Sequence, residues 1–193
     1  MCVRGYLRVM HASPITTAAQ LLDYEEPGHR HELERGQLRR RPWHGAVTGA
    51  AIARLGSLLV THLDTHRLGL AAAGVGCLLE RDPDTVYLAS IAFVRRERMP
   101  PPDVYDFFHG APELVAEFVS THDPDHDGLQ ARARTWIRCG TRLSWVVDAV
   151  ARTVDVLRAD GSSARLTTAD VLRGDRVLPD FAVPVADLFD DFG

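Results

Sequence analysis

Two stretches decide how the chain folds: Pro112-Glu113-Leu114-Val115-Ala116-Glu117-Phe118-Val119-Ser120 and Cys139-Gly140-Thr141-Arg142-Leu143-Ser144-Trp145-Val146-Val147-Asp148. Each contains a short apolar run, Leu114 to Val119 and Leu143 to Val147, of a length that suits a buried strand. Between them lie a polar break, Thr121 to Gly128, and a helical segment, Leu129 to Arg138, with Gly140 placed as its C-cap. Glu117 interrupts the first run. By strand alternation its carboxylate faces solvent; if it faces inward it needs a partner, because burying a lone charge is expensive.

Working outward, Thr16 and Thr17 are N-cap candidates for a helix over Ala18 to Tyr24, which Pro27-Gly28 ends. His31 to Leu38 reads as a hairpin turning at Arg35-Gly36. Ala46 to His66 carries Ile52, Leu55, Leu58, Leu59 and Leu63 on one helical face. Gly69 to Leu79 and Val86 to Val94 are strand candidates around the turn Arg81-Asp82-Pro83-Asp84, and Arg95 to Gly110 is a Pro-rich loop. Thr153 to Leu157 adds a strand, and Pro179 to Phe189 closes the chain with Val183, Val185, Leu188 and Phe189 free to dock. This order predicts an α/β fold with a mixed central sheet flanked by helices, as one domain over 15–193 behind a tail of residues 1–14. Met1 to Val9 precede a second methionine at Met10, and no structural role is assigned to them.

At 193 residues, with 46% hydrophobic and 25% charged residues, the composition is globular. The net charge of -4 excludes a global basic field, though not a local one. All 22 basic residues are arginine. Guanidinium is always charged and differs in shape from an ammonium, so no step can use a lysine. Cys2, Cys77 and Cys139 form no CxxC pair, which argues against a zinc site or disulfide framework and suits a cytoplasmic protein. No transmembrane run or signal peptide is evident.

Four blocks together resemble one family. Arg30-His31-Glu32-Leu33 with Gly36-Gln37-Leu38 is similar to "RYEL-x-x-GEL", and Ser90-Ile91-Ala92-Phe93-Val94 to "PDVAFV". Pro112 to Ser120 is similar to "PDLVVEVLS", and Cys139 to Asp148 to "AGVxxYWVVD". Their order and spacing resemble the bacterial Uma-two family of restriction-endonuclease-like proteins, in the PD-(D/E)xK nuclease superfamily. The resemblance runs from Ile15 to Phe189. It implies a restriction-endonuclease-like fold, often paired as a homodimer, and metal-dependent hydrolysis of DNA phosphodiesters. There, carboxylates hold Mg²⁺, which activates water, while a lysine stabilises developing charge.

Carried over by position, Glu32 and Glu117 match the site acids. Ala89-Ser90 stands where the resemblance expects a metal-binding Asp, Arg132 where it expects lysine, and Thr48 where it expects His. The catalytic candidates are therefore Glu117, Glu32, Arg132 and Ser90, and the metal candidates Glu117, Glu32 and Asp123. A serine hydroxyl is a weak ligand for a hard cation, so Mg²⁺ binding is expected to be weak or absent and hydrolysis impaired. The alternative is a non-catalytic nucleic-acid-binding or dimerisation module. DNA and a second copy of the chain are the expected partners, with no membrane and no organic cofactor.

Other features have plainer readings beside functional ones. His122-Asp123-Pro124-Asp125-His126-Asp127 is either a solvated turn or a metal cluster, and Asp82 and Asp84 precede the Ser90 strand. Arg39-Arg40-Arg41 and Arg95-Arg96-Glu97-Arg98 are surface charge or phosphate contacts, and Arg134 and Arg138 would make the helix wall cationic. Trp43, Trp136 and Trp145 are expected to be core or partly buried.

Overall fold

The computed structural model describes residues 14–101, 106–119 and 126–189. Asp123, Ser120 and most of the His122 to Asp127 cluster lie outside these residues, as does the N-terminal tail.

Thr17 starts α1 (Ala18–Leu22) with a capping box: its hydroxyl accepts from the Gln20 backbone, and the Gln20 side chain accepts from the Thr17 backbone. The helix is two residues shorter than its apolar pattern suggested, because Asp23 leaves helical geometry. The strands β1 (Arg30–Glu34) and β2 (Gln37–Arg41) pair with Glu34 opposite Gln37, leaving Arg35-Gly36 as a two-residue turn. Both turn residues have positive φ, 51° and 73°, as a type I′ connection requires.

Next come α2 (Ala46–His66), β3 (Gly69–Glu80) and β4 (Thr85–Arg95), near their expected bounds. The Arg95 to Gly110 region is less irregular than its prolines implied. It holds a 3₁₀ turn at Arg96–Arg98 and a two-residue strand, β5 (Phe108–His109), parallel to β3. Then follow β6 (Leu114–Phe118), α3 (His126–Arg138), β7 (Leu143–Asp148) and β8 (Thr153–Arg158). Three short strands have no distinct sequence signal: β9 (Ser163–Leu166), and the separate pair β10 (Val171–Arg173) and β11 (Ala182–Pro184).

The main sheet is mixed and runs β2-β1-β4-β6-β7-β8-β9, with β3 on the other edge of β4. The strands β6 and β7 are parallel, with α3 between them in sequence; the other long pairings are antiparallel. The α/β fold with a mixed sheet flanked by helices is thus present. One face packs Ala51, Leu55, Leu59 and Leu63 of α2, with the closing segment Phe181 to Phe189, against Ile91, Phe93 and Trp145. The other face packs α3 through Ala133 and Trp136. By length and composition α2 could cross a membrane, but its buried face is a stripe of this core.

The strand β4 changes partner along one edge. Val86 pairs with Leu33 of β1, and from Ile91 onward it pairs with β6. Residues 87–90 fall between these partners, so on this edge their backbone must find hydrogen bonds elsewhere.

Removing a side chain from the α2 stripe should be costly. Leu59→Ala, at a fully buried position, is expected to lose about 2–5 kcal/mol in urea unfolding. Val60→Ala on the exposed side of the same helix should stay within about 0.5 kcal/mol.

Candidate functional site

The break in the β4 ladder is filled by side chains. Glu32 Oε1 accepts from the backbone N–H of Leu88 at 2.7 Å, and Arg132 Nη2 donates to the Leu88 carbonyl at 3.0 Å. These two side chains complete the backbone bonding that neither β1 nor β6 reaches. They come from β1 and α3, so the break draws four elements to one point.

The remaining bonds form a closed cluster. Arg132 donates through Nη1 and Nη2 to the two oxygens of Glu32, at 2.6 and 2.5 Å, a bidentate fork. Its Nε donates to Glu117 Oε1 at 2.8 Å, where Trp136 Nε1 also donates at 2.7 Å. Arg41 Nε donates to Glu32 Oε2 at 2.7 Å, and the Ser90 hydroxyl donates to Glu117 Oε2 at 3.3 Å. Tyr87 lies under the guanidinium, 4.0 Å from it to the ring centroid. Glu32, Glu117 and Arg132 are almost wholly buried. Glu117 therefore faces inward, supplied with the partners that burial demands.

Electrostatics follow the same geometry. Burial alone would raise the Glu32 carboxyl, but Arg132 and Arg41 outweigh it and hold it below the ordinary carboxylate range. Burial would likewise lower Arg132, yet Glu117 and Glu32 push it further up. His44 is desolvated and faces Arg30, which lowers it to about 4, so its imidazole is neutral at pH 7.

Glu32, Ser90, Glu117 and Arg132 thus meet in one pocket, which Arg30, Arg41 and His44 also line. Arg30 and His44 were missed as site residues. Arg30 lies inside the first motif block without a spacing that marks it as a site residue, and His44 has no spacing signal. Ser90 Oγ lies 3.4 Å from His44 Nε2, so the position of the expected Asp opens toward these two residues. Thr48 is fully buried and donates to the Val119 carbonyl at 3.3 Å, outside the pocket lining.

For several features the plainer reading holds, and for two the expectation is corrected. Asp84 is used structurally, accepting from the Ala18 N–H at 2.7 Å and so holding α1. Arg134 is exposed and Arg138 lies near Glu80, so Arg132 is the one arginine of α3 that lines the pocket. Residues two apart on a helix do not share a face. Arg98 turns to Glu113, and Arg39 and Arg40 to Glu34 and Glu26; only Arg41 of its cluster reaches the site. Trp136 and Trp145 are buried as expected, but Trp43 is 59% exposed.

Among the described residues, a divalent cation does not suit this donor set. A carboxylate offers roughly four lone-pair directions, and on Glu32 protein donors take four contacts: two on each oxygen. Glu117 spends Oε1 on Arg132 and Trp136. Among the pocket residues, three guanidiniums face two carboxylates, which favours an anion.

Two measurements check this electrostatic arrangement. Arg132→Met strands two buried carboxylates and is expected to cost about 3–5 kcal/mol in urea unfolding at pH 7. His44, lowered on folding, takes up protons in the unfolded chain first, so stability falls as pH drops from about 6.5 toward about 4. His44→Gln should remove about 1 kcal/mol of the loss seen between pH 7 and pH 5, allowing for partial exposure.

Comparison with known proteins agrees with the fold. A crystal structure described as "a putative nuclease belonging to DUF820 from Anabaena variabilis ATCC 29413" is similar with a TM-score of 0.78 at 18% identity. The match covers 91% of this chain and 98% of that one, and at this identity it speaks for the fold. No curated protein matches the sequence. The family model Uma2, described as "Putative restriction endonuclease", matches residues 18–186. The chain therefore belongs to the Uma2 family of restriction-endonuclease-like proteins.

Proposed function

We propose that this chain is a nuclease-family domain whose hydrolytic centre has become a phosphodiester-binding pocket, with cleavage strongly impaired or lost. One observation supports this above the rest: Arg132 bridges Glu32 and Glu117, occupying both oxygens of the first and one of the second, where a catalytic Mg²⁺ would need them. A hard divalent ion would have to displace a bidentate, buried guanidinium, and Ser90 offers it only a neutral oxygen. Outside this cluster the pocket has a cationic rim. Arg30 and Arg41 would meet backbone phosphate through charge-assisted hydrogen bonds, with Ser90 and neutral His44 as polar neighbours.

In this reading DNA is a partner through its backbone, so affinity falls steeply with salt as counterions are released. A homodimer is part of the reading, supported by the one-sided pairing of Gly69 to Gly76 of β3 among the described residues. A cytoplasmic setting suits Cys77 and Cys139, both free thiols.

Plasmid nicking with Mg²⁺ or Mn²⁺, alongside binding measured across a salt series, tests the proposal. The expected outcome is salt-sensitive binding without conversion of supercoiled plasmid. Robust nicking that disappears in Glu117→Ala would overturn it. Sedimentation of the same protein reports whether it is a dimer.

A further inference from the structure

Trp43 is the one aromatic among the exposed large hydrophobic side chains of the described residues. A single exposed apolar residue is ordinary on a protein surface, so exposure alone says little. Its position says more. Pro42 and His44, its two chain neighbours, both line the anion pocket. Arg30 lies over the indole, 5.6 Å from its centroid, and donates through Nη2 to the Pro42 carbonyl at 2.9 Å. The ring and the pocket rim are thus held together by one guanidinium.

Two residues of the pocket lining also have polar atoms that lack partners. Arg30 Nε and His44 Nδ1 are buried and make no hydrogen bond. Buried polar groups are nearly always satisfied, and those that are not commonly mark a missing ligand or water. Two such atoms at one rim, beside a net cationic lining and an exposed indole, match the parts of a nucleotide: an anionic oxygen cluster and a flat π-face. Adjacent residues have Cα atoms about 3.8 Å apart, so Trp43 and His44 sit within the span of one nucleotide unit.

We propose that Trp43 is a stacking platform for an unpaired nucleobase of a single-stranded polynucleotide whose phosphate occupies the Arg30, Arg41 and Ser90 side of the pocket. This rests on the phosphodiester-binding reading and narrows it. In a duplex the base faces are covered by their neighbours, so an indole beside a backbone phosphate finds no free face. In a single strand every base offers one, and stacking of this kind tolerates any sequence. The shared chemistry, a base attached to a phosphodiester, exists in both DNA and RNA.

The test compares equal-length oligo-dT, oligo-rU, an abasic deoxyribose-phosphate strand and a duplex, by fluorescence anisotropy with the full chain. Wild type should bind at least one of the base-bearing single strands about ten-fold or more tightly than the abasic strand, and more tightly than the duplex. Trp43→Ala should collapse that ratio toward one, and Trp43→Phe should keep most of it. Oligonucleotide should also quench indole fluorescence in wild type and not in Trp43→Phe, since Trp136 and Trp145 are fully buried. Arg30→Gln should weaken base-bearing and abasic strands alike. A ratio near one in wild type, a ratio that survives Trp43→Ala, or tighter binding of duplex overturns the stacking role and leaves the phosphate pocket standing. Failure of every strand to bind with salt dependence overturns both.

Discussion

The structure depends on one buried guanidinium. Arg132 ties the β1 acid, the β6 acid and a β4 carbonyl to α3, and it can do so because its donors form a planar fork. A lysine ammonium in its place would be a compact point charge without that fork. Burying three charges carries a desolvation penalty of several kcal/mol per ion, so the cluster persists only because nearly every lone pair and proton is matched. Its contribution is therefore to geometry more than to net stability: it sets where four elements meet.

The meeting point exists because β4 exceeds both partners on one edge. Where β1 stops pairing and β6 has not begun, the β4 backbone borrows hydrogen bonds from Glu32 and Arg132. In a metal-dependent nuclease a similar gap would gather carboxylates for a cation. Here the same gap gathers an ion cluster in which Arg132 and Arg41 balance Glu32 and Glu117, and the remaining positive charge in the pocket is Arg30. The fold is that of the family, and the proposed preference of the pocket for an anion follows from the substitutions at its centre.

Much of this was legible in the sequence. The apolar runs at Leu114 and Leu143 fixed the sheet core, and Glu32, Ser90, Glu117 and Arg132 were found by motif position and do meet. Glu117 could not be oriented from alternation, because whether a carboxylate turns inward depends on a guanidinium arriving from elsewhere in the chain. Arg30 and His44 were invisible for the same reason: a rim is made by loops and strand ends that no local period describes. Trp43 was misplaced because aromatic residues are usually buried, and only its position beyond the hairpin leaves it uncovered. The short strands β9, β10 and β11 follow from pairing partners and not from their own few residues.

The rim has a further property in alkaline solution. Pockets lined by lysine discharge as pH approaches about 10.4, and ligand anions then leave. Every cation in this pocket is a guanidinium, which stays protonated well beyond that point even though burial draws Arg30 below its usual value. The pocket's cations therefore keep their charge at an alkaline pH where lysines would lose theirs. On the acid side the His44 imidazole takes up a proton once pH nears about 4 and adds to that charge.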